Sequence, residues 1–162
     1  MTTSADTAAT LLDVCRRRGW TLACAESLTG GGVCAQLTEV AGASDVVRGA
    51  IVAYHTDLKA SLLGVSRERL ETTGPVDQVV AEEMALGVAK KLHADVGLAT
   101  TGVAGPGPAD GHEAGTVHIA VTAPNGAAHQ QLALEGDRDA VRQQTVARVI
   151  QLALELVGSS NR

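Results

Sequence analysis

The fold is organised around the stretch AESLTGGG, residues 25–32. The apolar residues 20–25 predict a buried strand, and residues 29–40 have the pattern of a short helix. Ser27 therefore lies where a strand turns into a helix. Glycines after it let a substrate approach the backbone, and the free N–H groups of a first helical turn attract an anion or an oxyanion. The turn suits either chemistry or phosphate binding.

The same serine has a structural interpretation. Ser and Thr favour the N-cap position, because the side-chain oxygen accepts a backbone N–H of the first helical turn. Ser27, or Thr29 two residues later, would then only begin the helix. The residues of the turn leave both interpretations open.

The composition predicts one globular domain over residues 1–162, which is long enough to bury a core without disulfide or metal staples. The 3 cysteines lack a C-x-x-C spacing, and the 5 histidines lack the spacing of a metal pair. No signal peptide or membrane-span pattern is visible. We therefore expect a cytoplasmic protein with no metal and no membrane segment.

The charge and the aromatic content argue against nucleic-acid binding. The chain has 13 Lys and Arg against 18 Asp and Glu, a net charge of −5. Trp20 and Tyr54 are its only aromatic residues. Nucleic-acid surfaces need a basic patch, and single strands stack on aromatic side chains. We therefore expect no nucleic-acid partner.

A lysine follows the second predicted strand, residues 46–54. Residues 55–63 predict a short helix capped by Thr56 or Asp57, which places Lys59 in or just beyond its first turn. The helix dipole opposes a positive charge there. Lys59 is thus either a lysine with a special environment or an exposed lysine without a role.

A second glycine-rich turn, residues 102–108, follows the predicted strand 96–101. It lacks the Gly-Lys-Ser/Thr of a P-loop and the helix that follows a Rossmann fingerprint. Residues 115–123 and 128–134 alternate around a Pro-Asn-Gly turn, which predicts a C-terminal antiparallel hairpin.

Strands separated by helices, followed by a hairpin, predict a three-layer α/β/α fold with a mixed, mostly parallel sheet. Ligands of open α/β sheets bind at the carboxyl ends of the strands. If the first three strands are parallel, the turns after them meet at one site.

Two arginines lie four residues apart in the last predicted helix, residues 137–157, and so share one face. Together, Arg138 and Arg142 can hold a phosphate or a carboxylate. They can equally pair with the nearby acidic residues Glu135, Asp137 and Asp139.

Several short motifs cover nearly the whole chain. They are Ala25-Glu26-Ser27-x-Thr29-Gly30-Gly31, residues 41–44, Tyr54-x-x-x-x-Lys59-x-x-x-Leu63-Gly64-Val65, Gly74-Pro75-Val76, Thr101-Gly102-x-Ala104-Gly105-Pro106-Gly107 and Gly115-Thr116-Val117. In this order they resemble the CinA C-terminal domain family, whose active members are nicotinamide-nucleotide amidases. We expect the stand-alone form of that domain. The chain departs from the family pattern at Leu28, His55 and Gly107-Pro108.

The resemblance implies hydrolysis of the carboxamide of nicotinamide mononucleotide to nicotinate mononucleotide and ammonia, a step of pyridine nucleotide salvage, without a cofactor. It places the nucleophile at Ser27 and the lysine at Lys59. Because no histidine has a triad-like context, a Ser–Lys dyad acting through an acyl-enzyme is expected. Burial and the helix dipole would lower the pKa of Lys59. Tyr54 would orient the lysine or stack on the pyridine ring.

The resemblance also implies the binding residues. The oxyanion hole and substrate contacts are expected from Glu26, Leu28, Thr29, Gly30 and Gly31, with Thr101, Gly102 and Gly105 lining the nucleotide. The 5′-phosphate is expected at Arg142 first and Arg138 second. Family habit and an alanine-rich surface favour a homo-oligomer.

Two other functions stay open. One is a non-catalytic, regulatory module that binds a nucleotide at the two anion-friendly turns. The other is an amidase that acts on a different small carboxamide.

Overall fold

A sheet of five strands forms the centre of the computed structural model, which describes residues 2–159. The strands are β1 (Leu22–Glu26), β2 (Val47–Val52), β3 (Val96–Gly102), β4 (Thr116–Ala123) and β5 (Gly126–Ala133). In space their order is β2-β1-β3-β4-β5. Strand β1 is parallel to β2 and β3, whereas β4 is antiparallel to β3 and β5. Met1 and residues 160–162, which the one-domain prediction also covers, lie outside the described residues.

Helices cover both faces of the sheet. They are α1 (Ser4–Arg18), α2 (Gly32–Thr38), α3 (Thr56–Leu63), α4 (Arg67–Thr73), α5 (Gln78–Lys91) and α6 (Arg138–Gly158), with a 3₁₀ turn at Ala43–Asp45. Buried side chains of α1, α2 and α6 form one core with the sheet, and those of α3, α4 and α5 form a second. The predicted three-layer α/β/α fold with a mixed sheet and a C-terminal hairpin is confirmed.

Small side chains bring α5 very close to the sheet. The second core contains Ala23, Ala25, Ala99 and Ala120 from the strands. A Cβ atom added at Gly97 of β3 would lie 2.1 Å from the carbonyl oxygen of Ala85 in α5. No side chain larger than glycine fits there unless the backbone moves, so glycine and alanine are what allow α5 to pack closely on the sheet.

The start of α2 differs from the prediction. The helix begins at Gly32 rather than near residue 29, and its N-cap is Gly31, with φ 103° and no side-chain cap. Gly30 is also left-handed, with φ 58°. Two consecutive left-handed residues turn the chain before it becomes helical, which glycine permits without strain. Neither Ser27 nor Thr29 caps the helix, so the capping interpretation is wrong.

The predicted cap of α3 is also corrected. His55, not Thr56 or Asp57, occupies the N-cap position, and it makes no side-chain cap hydrogen bond. The helix therefore follows β2 after only a short connection, residues 53–55. This places Lys59 on the first turn and a half of α3, close to the end of β2.

The ends of the first three strands meet at one edge of the sheet. Because β1, β2 and β3 are parallel, the turns after them converge, as the sequence predicted. The backbone N–H of Ala53 donates to the carbonyl of Glu26 at 2.9 Å, which ties the first two turns together. Among the helices described here, none combines the length and the apolar character that crossing a bilayer requires.

Candidate active site

A cavity of about 330 Å³ lies at the carboxyl ends of β1, β2 and β3. This volume is within the range of small-molecule sites. Of the predicted site residues, the cavity brings together Ser27, Leu28, Tyr54, Lys59, Thr101, Gly102, Gly105 and Arg138. Glu26, Thr29, Gly30, Gly31 and Arg142 are not among the residues that line it.

Lys59 and Ser27 are in direct contact. Lys59 is 1% exposed, and its Nζ donates to Ser27 Oγ at 2.9 Å. The same Nζ donates to the carbonyls of Ala53 at 2.8 Å and Tyr54 at 3.4 Å. These carbonyls lie just beyond the end of β2, where no neighbouring strand takes them, so they are available to hold the amine against the serine.

Burial changes the proton affinity of this lysine. It lowers the pKa of Lys59 from 10.5 to about 8, against the negative charge of Asp110, which raises the pKa. A neutral amine has two N–H donors and one lone pair. If a neutral Lys59 donates to the carbonyls of Ala53 and Tyr54, its lone pair is left to accept the proton of the Ser27 hydroxyl. The arrangement can therefore remove the serine proton near neutral pH.

Glu26 has a structural position that the sequence did not predict. Its side chain is 0% exposed, and its two carboxylate oxygens accept the N–H groups of Val33 at 2.8 Å and Cys34 at 3.1 Å. These are N–H groups of the first turn of α2, which were expected to be free for an anion. Glu26 occupies this anion position itself, so it fixes the turn instead of contacting a substrate.

Thr29, Gly30 and Gly31 also lie inside the turn. Thr29 is 1% exposed, and its hydroxyl pairs with that of Thr100 at 2.8 Å. The N–H of Gly30 donates to the carbonyl of Ser27 at 3.1 Å. Of the residues expected to supply oxyanion donors, only Leu28 lines the cavity, and its N–H has no hydrogen-bond partner within residues 2–159.

The two arginines of α6 have different positions. Arg142 donates to the carbonyls of Leu28 at 3.0 Å and Thr29 at 3.3 Å, which holds the turn from outside the cavity. Arg138 lines the cavity and donates to the carbonyl of Gly105 at 2.6 Å and to Tyr54 Oη at 3.1 Å. In the described part of the chain, neither forms an ion pair with the acidic residues nearby.

Tyr54 contacts the lysine through its backbone, not its ring. Its side chain is 61% exposed at the cavity, and its hydroxyl accepts from Arg138. The carbonyl of Tyr54 is one of the three acceptors of Lys59 Nζ. The ring is therefore free to contact a bound molecule.

Other residues that line the cavity were not among the site residues predicted from the sequence. They include Thr56, Pro75, Val76 and Asp110, of which Asp110 is acidic. The one available signal for Asp110 was its Asp-Gly pair directly after the second glycine-rich turn.

Burial raises the pKa values of Cys15, Cys24 and Cys34, which keeps these thiols from acting as nucleophiles. Residues 2–159 contain no cluster of three or more His, Cys, Asp or Glu that could hold a metal.

Known proteins with related sequences share this domain. The family model described as the CinA C-terminal domain matches residues 4–157. A CinA-like protein of Frankia casuarinae is 44% identical over 141 residues, which cover 87% of this chain and 33% of that protein. A putative competence-damage inducible protein of Geobacillus kaustophilus is 43% identical over 150 residues, 91% of this chain and 36% of that protein. The chain spans about a third of the length of these curated relatives.

Solved structures agree with the fold over almost the full chain. The competence/damage inducible protein CihA from Agrobacterium tumefaciens is 34% identical, with a TM-score of 0.90 and 94% of each chain covered. A competence-damaged protein (CinA) superfamily protein from Escherichia coli is 29% identical, with a TM-score of 0.91, over 96% of this chain and 91% of that one.

Proposed function

The chain belongs to the CinA C-terminal domain family, and from this membership we propose that it hydrolyses the carboxamide of nicotinamide mononucleotide to nicotinate mononucleotide and ammonia. The observation that carries the proposal is the 2.9 Å contact between Lys59 Nζ and Ser27 Oγ inside the cavity. An amide needs an activated nucleophile, and a buried lysine with a pKa of about 8 supplies the base.

In the first half of the proposed reaction, neutral Lys59 takes the proton of Ser27 Oγ as this oxygen attacks the carboxamide carbon. The carbonyl oxygen becomes an oxyanion. When the tetrahedral intermediate collapses, the carbon–nitrogen bond breaks, and the Lys59 ammonium returns the proton to the departing nitrogen. Ammonia leaves, and the nicotinate group remains on Ser27 as an ester.

In the second half, a water molecule replaces ammonia. Lys59, neutral again, takes a proton from the water as its oxygen attacks the ester carbon. Collapse of this intermediate breaks the bond to Ser27 Oγ, which takes the proton back from Lys59. Nicotinate mononucleotide is released, and both residues return to their starting states.

The N–H of Leu28 is the proposed oxyanion donor. It follows the nucleophile directly, has no partner within residues 2–159 and belongs to a residue that lines the cavity. The carbonyls of Leu28 and Thr29 are held by Arg142 on the other side of the turn. Arg142 thus fixes the peptide groups next to Ser27, and such fixed dipoles stabilise a developing negative charge.

Arg138, and not Arg142, which the resemblance placed first, is the proposed phosphate ligand, because Arg142 holds the Ser27 turn from outside the cavity. Arg138 lines the cavity, and its present acceptors, the carbonyl of Gly105 and the hydroxyl of Tyr54, are both neutral. Its positive charge is therefore not compensated by a carboxylate within hydrogen-bond distance, and a phosphate would provide a charge-assisted contact. Thr101, Gly102 and Gly105 would line the nucleotide.

Ammonia release from nicotinamide mononucleotide by the purified protein tests the proposal. Ser27→Ala and Lys59→Met should each lower the rate by roughly a thousandfold or more, because each removes one member of a unit that acts together. Lys91→Met, at the exposed end of α5, is the matched control and should keep the full rate. A folded Lys59→Met protein with the activity of the control would contradict the dyad.

The two other functions predict different results. A regulatory nucleotide-binding module would bind the mononucleotide and release no ammonia, before or after Ser27→Ala. An amidase for another carboxamide would prefer a substrate without the phosphate. The homo-oligomer remains a prediction, which light scattering of the purified protein measures.

A further inference from the structure

Three charged side chains line the described part of the cavity: Lys59, Arg138 and Asp110. In the proposed function Lys59 acts on the carboxamide and Arg138 binds the phosphate. Asp110, the only acidic residue among them, has no assigned role. Its carboxylate forms no hydrogen bond or ion pair with any residue in the 2–159 range, and the residue is exposed.

A tight turn fixes the position of this residue. Ala109 and His112 exchange both backbone hydrogen bonds, at 3.0 Å and 2.9 Å. Between them Asp110 has φ 52° and Gly111 has φ 79°, the left-handed pair typical of a type I′ turn. An Asp-Gly sequence suits this backbone, but Asn-Gly suits it equally well. The turn therefore explains why a short polar residue is present and does not require a negative charge.

The proposed substrate carries a positive charge that could pair with the carboxylate of Asp110. The ring nitrogen of nicotinamide mononucleotide carries the ribose, so the ring has a permanent positive charge, and the phosphate is negative. With the phosphate matched by Arg138 and the carboxamide placed at Ser27, the cationic ring is the part of the substrate without an opposite charge.

We propose that Asp110 is the residue by which the cavity selects a positively charged pyridine carboxamide over an uncharged one. The inference rests on the proposed function and deepens it, because it defines the class of ring that the site accepts. Attraction between a carboxylate and a cation close together in a partly enclosed cavity is strong enough to discriminate a charged ring from a neutral ring of the same shape.

The same charge also acts on the lysine. The carboxylate of Asp110 raises the pKa of Lys59, against the lowering by burial. A cationic ring bound next to Asp110 offsets this effect and favours the neutral, basic form of Lys59. An uncharged ring leaves the effect in place, so the residue influences both binding and the pH at which the free enzyme becomes active.

Reduced nicotinamide mononucleotide is the probe for this inference, since its ring is uncharged while its carboxamide and phosphate are unchanged. Dissociation constants for the oxidised and the reduced forms are measured by calorimetry in a Ser27→Ala background, where no reaction occurs. The parent should bind the oxidised form about tenfold more tightly, and Asp110→Asn should bind both forms about equally. Asparagine keeps the left-handed turn, and Asp13→Asn on the distant helix α1 controls for net charge.

A second readout uses the unblocked enzyme. With Ser27 present, Asp110→Asn should move the acid limb of the kcat/KM profile to lower pH, because the charge that raises the pKa of Lys59 is gone. Ammonia release by the wild type, together with an unchanged preference in Asp110→Asn or no preference in the parent, would overturn this inference alone. Absence of ammonia release and of binding would overturn the proposed function and this inference with it.

Discussion

The two glycine-rich turns of the molecule both follow parallel strands of the sheet, but they differ in how far other protein groups contact them. In the first turn, residues 27–31, protein groups occupy nearly every available contact: Glu26 holds the start of α2, Thr100 pairs with Thr29, and Arg142 holds the carbonyls of Leu28 and Thr29. The second turn, residues 102–108, lines the cavity together with Ala109 and Asp110, and the Asp110 side chain has no partner in the described chain.

This difference suggests separate tasks: the first turn positions Ser27, and the second turn contacts a ligand. Residues from β1, β3 and α6 hold the turn that carries Ser27, which suits its proposed role, because a nucleophile needs a fixed position relative to its base. A binding wall needs groups that are free to contact a ligand, and beside the second turn the side chain of Asp110 is such a group. Changes in the first turn should therefore affect stability and catalytic rate, and changes at the wall should affect affinity.

Glu26→Gln should have the largest effect on the first turn. The amide retains the shape of the carboxylate but has one acceptor oxygen, so its NH₂ group faces a backbone N–H of Val33 or Cys34 in a fully buried place. Leaving a buried donor unsatisfied lowers the free energy of unfolding by about 3 kcal/mol. Urea denaturation measures the change.

Glu83→Gln is the matched control for that substitution. Glu83 also accepts a backbone N–H, from Ser66 at 2.8 Å, but at a partly exposed position where water can replace the contact. Its loss should be below about 1 kcal/mol. Equal losses for the two variants would show that the first turn is not held by Glu26.

A change of pH should give the next largest effect on the rate. It tests both turns together, because Lys59 contacts Ser27 of the first turn and the charge of Asp110, next to the second turn, raises its pKa. As the proposed base, Lys59 must be neutral to act, and its pKa is about 8. Below this pH the neutral fraction falls about tenfold for each pH unit, so kcat/KM should fall about 50-fold from pH 8 to pH 6. The rate is measured with saturating and limiting substrate across this range. A flat profile would exclude Lys59 as the base.

Substitutions of the two α6 arginines distinguish the roles of the two turns more directly, because Arg138 contacts the second turn and Arg142 the first. Arg138→Gln removes the proposed phosphate contact, so KM for nicotinamide mononucleotide should rise about 30-fold with little change in kcat. Arg142→Gln loosens the first turn, so kcat should fall about tenfold with little change in KM. Nicotinamide riboside, which has no phosphate, should be insensitive to Arg138→Gln. The same kinetic change in both variants would contradict the separation of roles.

Much of this architecture could be predicted from the sequence because its signals are local. The apolar strand 96–101, the Pro-Asn-Gly hairpin and the last helix, predicted over residues 137–157, depend on neighbouring residues, and the structure has all three. The convergence of the turns followed from parallel strands. The pairing of Ser27 with Lys59, 32 positions apart in the chain, came only from the family resemblance and from no spacing rule.

The features that the sequence did not predict are the contacts made by the terminal groups of long side chains. Glu26 contacts N–H groups seven and eight residues ahead because Gly30 and Gly31 fold the chain back, and capping rules do not cover that distance. Arg138 and Arg142 share a helix face, but one turn of α6 decides which of them reaches the cavity and which reaches the back of the Ser27 turn.

The smallest expected difference is between two glycine substitutions, one in each turn, which compare how rigidly the two backbones are held. Gly30 and Gly107 are both left-handed, with φ 58° and 77°, so alanine at either costs about 1 kcal/mol in backbone strain. At Gly107 the added Cβ meets nothing within 4 Å, whereas at Gly30 it lies 3.3 Å from Arg142 Nη2. Gly30→Ala must therefore also shift the Arg142 guanidinium slightly from its contacts with the turn, and its total loss should be about 2 kcal/mol, with a lower kcat. Denaturation and steady-state kinetics of the two variants measure this excess. If Gly107→Ala lost as much stability and rate as Gly30→Ala, the second turn would be as rigidly held as the first.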